Sequence, residues 1–169
     1  DALDAFRLLA DDEFPVRFLI IGPADKKDRD RFFSVISSGR LKEMVRYIPW
    51  IEASELPAYL KISDICIAPF RKNPHHESGI ANKIFDYMLG KKPVIASDCK
   101  PQKKLIEKYG CGIVYETIEE LKAGIIRLSE DPVLRSEMGE KGYQAIIREF
   151  NTEFLKHNLL DLYKKLVPR

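Results

Sequence analysis

The chain has 169 residues, 45% of them hydrophobic and 32% charged, which is the composition of one globular domain able to bury a real core. A net charge of +2 is too small to make nucleic acid the partner, and no apolar run reaches the ~18 residues of a membrane span. Three scattered cysteines without CxxC spacing, and no signal-peptide pattern, fit a cytoplasmic setting.

Asp1 to Leu9 already has helical period, so the chain begins inside an element and is expected to be a fragment of a longer protein. Arg17 to Gly22 reads as a buried strand ending in Gly-Pro. Asp25 to Ser38 follows with Phe32, Phe33 and Ile36 at helical spacing. Met44 to Ile48 is a second strand, and Ser54 is the expected cap of a short helix over Glu55 to Lys61. Asp64 to Pro69 is the third strand, Lys92 to Ala96 the fourth and Ile113 to Tyr115 the fifth. Helices fill Ile118 to Leu166. The last carries Leu155, Leu159, Leu162, Tyr163 and Leu166 on one stripe, expected to pack on its own domain. Strands alternating with helices predict an α/β, Rossmann-like fold, mainly parallel, with helices on both faces. Val94-Ile95 and Ile65 to Ile67 should be among the most buried residues, with Cys66 buried and unpaired.

In such a sheet ligands sit beyond the carboxyl ends of the strands. The segment Asn73 to Ser97 therefore carries the most information. It reads as a polar loop, a helix, a tight turn and a buried strand. Ser78 stands where a helix cap is expected, and Gly79 would keep the first turn bare before Ile80, Ile84, Phe85 and Met88. Free amides and the helix dipole at that end suit a diphosphate. Asp86 lies eight residues beyond Ser78, roughly 12 Å at about 1.5 Å per residue, which suits a ribose diol on its carboxylate. Lys83, between them, is the candidate for stabilising the diphosphate. His75-His76-Glu77 lacks the spacing of a zinc site, so no metal is expected. It reads as a polar lip over a sugar or as a solvated loop. Trp50 either borders a base or covers the core.

Asp86-Tyr87-Met88-Leu89-Gly90-Lys91-Lys92-Pro93-Val94-Ile95-Ala96 resembles the second half of the pattern acidic–x7–acidic–x–Met–x–x–Gly–Lys–Pro–Val–Ile found in family 4 glycosyltransferases of the two-domain GT-B fold. It is closest to a branch reading Ala-Asn-Lys-Ile-Phe-Asp-Tyr-Met. The resemblance spans Val16 to Leu166, but its specific part is Pro69 to Cys99. It implies that Asp86 binds the nucleotide ribose. The position that contacts the donor sugar falls on Ser78, with Glu77 one residue early, so that role would fall to Glu77, to Ser78 or to backbone amides. A basic Arg–x4–Lys pair and an acceptor-binding domain would precede Asp1. The terminal helix of such enzymes often crosses to that other domain.

The implied protein is a retaining glycosyltransferase, cytoplasmic and of the kind used in polysaccharide biosynthesis. Residues 1–169 would form its nucleotide-sugar-binding domain, truncated at the N-terminus. Glu77, Ser78, Gly79, Ile80, Asn82, Lys83 and Asp86 would hold a UDP- or GDP-linked sugar as donor substrate, with no further cofactor. The partners would be the nucleotide sugar and the missing N-terminal domain. Membrane association would come only through the full-length protein, and the isolated domain would be inactive. The rivals are a sugar-nucleotide epimerase of the same architecture and a non-catalytic α/β binding module.

Overall fold

Short β-branched runs bounded by glycine, proline or polar residues form the strands, and the longer periodic segments form the helices. The computed structural model describes residues 2–166. They run α1 (Ala2–Asp11), β1 (Phe18–Ile21), α2 (Arg29–Ile36), α3 (Leu41–Met44), β2 (Val45–Ile48), a single-turn 3-10 helix (Ala53–Glu55), α4 (Leu56–Ile62) and β3 (Cys66–Ala68). Then follow α5 (Asn82–Leu89), β4 (Val94–Ser97), α6 (Lys100–Tyr109), β5 (Gly112–Tyr115), α7 (Ile118–Glu130), α8 (Pro132–Glu149) and α9 (Thr152–Leu166).

All pairings between described strands are parallel, with Phe18 opposite Val45, Cys66 opposite Val94 and Val94 opposite Gly112. β4 shows why both faces need helices. Its side chains alternate, as a strand requires. Ile95 enters a core built with α1, α3 and α7, whereas Val94 and Ala96 enter a second core built with α5, α6 and α8. All four β4 residues are buried. Gly110, at φ +59, ends α6 in the left-handed conformation that glycine adopts without penalty.

The described strands form two parallel blocks, β1–β2 and β3–β4–β5. Three expectations need correction. Ile65 and Ile67 are only half-buried, because β3 is the outer member of its block, while Cys66 between them is buried and unpaired as expected. Ser54 caps nothing. Glu52 takes that role, exchanging bonds with Glu55, whose carboxylate accepts from the Glu52 amide at 2.8 Å. Finally, α9 does not bury its stripe on this domain. Leu155, Leu159, Leu162, Tyr163 and Leu166 are each more than half exposed.

α8 holds α5 in place from behind. A Cβ on Gly139 would meet the Lys91 carbonyl oxygen at 2.1 Å, and one on Gly142 would lie 3.2 Å from Met88 Cγ. Backbone cannot yield as a side-chain end can. Gly139→Ala is therefore expected to cost about 1–3 kcal/mol, read as a lower urea midpoint at unchanged slope. An unchanged midpoint would show that α8 does not set the position of α5.

Candidate functional site

The loop from Pro69 to Ala81 connects β3 to α5 at the carboxyl end of the strands. Its first half is fixed by its own polar groups. The His76 amide donates to Asn73 Oδ1 at 2.9 Å and the Glu77 amide to the Asn73 carbonyl at 3.0 Å. His76 Nδ1 lies 2.8 Å from the Arg71 carbonyl oxygen and 3.1 Å from Asn73 Nδ2. Phe70 is held by its amide, which donates to buried Ser97 Oγ at 3.1 Å. The two loops after β3 and β4 are thus tied together.

Ser78 is not the helix cap. It belongs to the turn before the helix, where its amide and its hydroxyl both donate to the His75 carbonyl, at 3.3 and 2.8 Å. Ala81 takes the cap position in extended conformation, φ −72 and ψ 133, and offers no side-chain acceptor. Ile80 and Phe85, at the positions of a hydrophobic staple, pack on the same core and set this start. Gly79 accordingly lies ahead of the first turn, Lys83 falls in that turn and Asp86 in the second. The consequence is chemical. Among the described residues, the successive amides of Gly79, Ile80, Ala81, Asn82 and Lys83 have no hydrogen-bond partner. Such a row of donors at the positive end of a helix has the chemistry that suits an anion.

Asn82, Lys83 and Asp86 share the side of α5 away from Ile84 and Met88, which are fully buried. The Lys83 ammonium rests 5.0 Å from the centre of the Phe70 ring, and it pairs with no carboxylate among the described residues. Lost hydration there lowers its pKa from the ordinary lysine value, although the side chain keeps exposed surface. His76 packs against the same ring at a tilt of 43°, with ring centres 4.7 Å apart. Phe70 thus joins the His76 loop to the start of α5. Asp86 is half-buried. Trp50 is 65% exposed and does not cover the core.

Glu77 lies apart from that group. With Lys72, Asn73, Pro74, Asp98 and Lys100 it lines a surface recess of about 490 Å³, which Asn82, Lys83 and Asp86 do not enter. Lys72 and Asp98 form an ion pair across it, and the Asp98 carboxylate raises the Lys72 pKa. The Lys100 amide donates to Glu77 Oε1 at 3.4 Å. A larger recess, about 610 Å³, lies between α6 and α8 around Tyr109, Glu140 and Arg148. It is away from the strand ends and its walls carry mixed charges, so it lacks what a diphosphate needs. No group of three or more His, Cys, Asp or Glu side chains among the described residues is placed to hold a metal ion. Phe70 falls in the stretch Pro69 to Arg71 expected to wall the cleft opposite the helix, whereas Ser97 and Gln102, which also organise these loops, were not singled out from sequence, since a serine and a glutamine carry no motif of their own.

A family model for glycosyl transferases group 1 matches residues 1–145. The chain belongs to that family. Among curated members, it is 28% identical over 102 residues to the putative teichuronic acid biosynthesis glycosyltransferase TuaH of Bacillus subtilis, covering 60% of this chain and 24% of that protein. Among solved structures, sucrose-phosphate synthase of Thermosynechococcus elongatus superposes with a TM-score of 0.80 at 19% identity, over 97% of this chain and 42% of that one. Anabaena Alr3699/HepE, solved in complex with UDP, does so at 0.77 and 17%, over 96% of this chain and 44% of that one. This group 1 chain therefore spans less than half the length of these proteins. Its fold is the Rossmann-like one expected of the C-terminal domain in a GT-B glycosyltransferase. No described helix is long and apolar enough to cross a membrane.

Proposed function

We propose that the chain is the donor-binding domain of a retaining glycosyltransferase that moves a sugar from a nucleoside diphosphate to an acceptor. The observation that carries this reading is the run of unpartnered amides from Gly79 to Lys83 at the start of α5, with Lys83 and Asp86 on the same side of the helix. The amides and Lys83 receive the diphosphate. Asp86 takes the ribose hydroxyls. His75, His76 and Ser78 face the donor sugar. When the glycosidic bond breaks, negative charge grows on the departing diphosphate, and fixed donors stabilise it there without a bound metal. Ile80 contributes its amide only, since its side chain packs into the core. UDP is the favoured nucleotide, because Alr3699/HepE was solved with UDP.

The acceptor side would come from the rest of a longer protein. Two features support a domain that is completed from outside residues 1–169. β1 is four consecutive large apolar residues, the pattern of an interior parallel strand, yet none of them is buried. α1 precedes β1 and packs against α3 and α7, so a right-handed crossover would set the strand before α1 beside β1, on its side away from β2. The exposed stripe of α9 offers the second surface, for the N-terminal domain.

Calorimetric titration of the full-length protein tests the reading. UDP or GDP should bind saturably and clearly more tightly than UMP or GMP, because the second phosphate completes the contact with the helix start. Equal affinity for mono- and diphosphates would contradict it.

A further inference from the structure

Gln102 lies in the first turn of α6 and is 0% exposed. Its Nε2 donates to the Gly79 carbonyl at 3.3 Å. That contact fixes the amide, because the flipped form would set two acceptor oxygens against each other. The other end of the side chain, Oε1, is buried without a hydrogen-bond partner among the described residues. A buried carbonyl with no donor destabilises the fold, and an apolar residue of similar length would avoid that cost. Two positions earlier on α6, the Lys100 amide reaches Glu77 Oε1 at 3.4 Å. The start of α6 therefore clasps the loop at both Glu77 and Gly79. The unpartnered amides begin at Gly79 and continue to Lys83.

We propose that Gln102 is a positioning residue for this loop: it holds Gly79 through Nε2 in the free protein and receives a loop N–H on Oε1 when a nucleoside diphosphate draws the amides of Gly79 to Lys83 together. The inference rests on the function proposed above and adds a residue that touches neither phosphate nor sugar. Gln102 meets the loop at Gly79, the residue where the row of unpartnered amides begins, and a loop N–H that the phosphate does not take is the donor for Oε1. Part of the affinity for diphosphate thus depends on a group outside the cleft.

The test uses Gln102→Met in the full-length protein, with UDP as probe. Methionine keeps the length and removes both polar atoms. The melting temperature without nucleotide is expected to hold or rise, since the orphan is gone. Hydrogen exchange at the amides of residues 79–82 should quicken, and UDP affinity should fall about tenfold. Parent-like affinity, or a lower melting temperature with unchanged affinity, would overturn the proposal and mark Gln102 as a structural residue. Gln102→Glu gives a second readout should the methionine variant fold poorly. Its carboxylate cannot donate to Gly79, so UDP binding relative to the parent is weak at neutral pH and recovers as the carboxyl protonates. Absence of that recovery also overturns the role. Should the parent itself bind neither UDP nor GDP, the functional reading falls and this inference with it.

Discussion

Lys83→Ala is expected to weaken binding of UDP by about 1.5–3 kcal/mol, roughly ten- to a hundredfold, the usual worth of a hydrogen bond to a charged group. Pyrophosphate should lose affinity by a similar factor, because the contact is with the diphosphate. The salt dependence of binding should also flatten, as one point charge leaves the site. A pH signature accompanies this. Lost hydration beside Phe70 lowers the Lys83 pKa in the free protein, and a bound phosphate would raise it again. UDP affinity of the parent therefore declines as pH rises through the lowered pKa, earlier than an ordinary lysine with a pKa of about 10.4 would produce. The Lys83→Ala protein lacks that decline. For stability the sign is opposite to that of a paired lysine. The charged ammonium is disfavoured in the fold at neutral pH, and the cost is relieved as pH rises through the folded-state pKa. Calorimetry across pH, with parallel melting curves, checks both statements.

Asp86→Ala should weaken UDP binding by about 1–3 kcal/mol and leave pyrophosphate binding nearly unchanged. The contrast matters, because only UDP carries the ribose diol proposed as the partner of this carboxylate. Asp86 lies one position beyond Phe85 and its staple and is half-buried, so its direction is set by the helix rather than by a loop. Equal losses for UDP and pyrophosphate would show that Asp86 acts through the phosphate end, and no loss for either would remove it from the site.

Much of the fold was legible because apolar periodicity reports burial directly. Val94-Ile95-Ala96 reads as an interior strand and is one, feeding a core on each side. What the sequence hid were contests between local polar groups. Ser78 has every property of a cap, but Asn73 and Pro74 open a turn that uses its amide and hydroxyl first, so the helix starts at Asn82 under Ala81. Ser54 lost its role in the same way to the reciprocal Glu52–Glu55 pair. The stripe on α9 was visible as a stripe, but amphipathicity states that a partner exists and not which one. Gln102 was invisible for a different reason. A glutamine on a lysine-rich helix reads as solvated, and only the fold shows it fully buried against Gly79.

The most direct measurement is a crystal structure of the full-length protein soaked with UDP. The account predicts phosphate oxygens within hydrogen-bond distance of amides between Gly79 and Lys83, the Lys83 ammonium drawn off the Phe70 ring, and the ribose hydroxyls on Asp86. UDP seated in the recess between α6 and α8, or with its phosphates away from the start of α5, would contradict it.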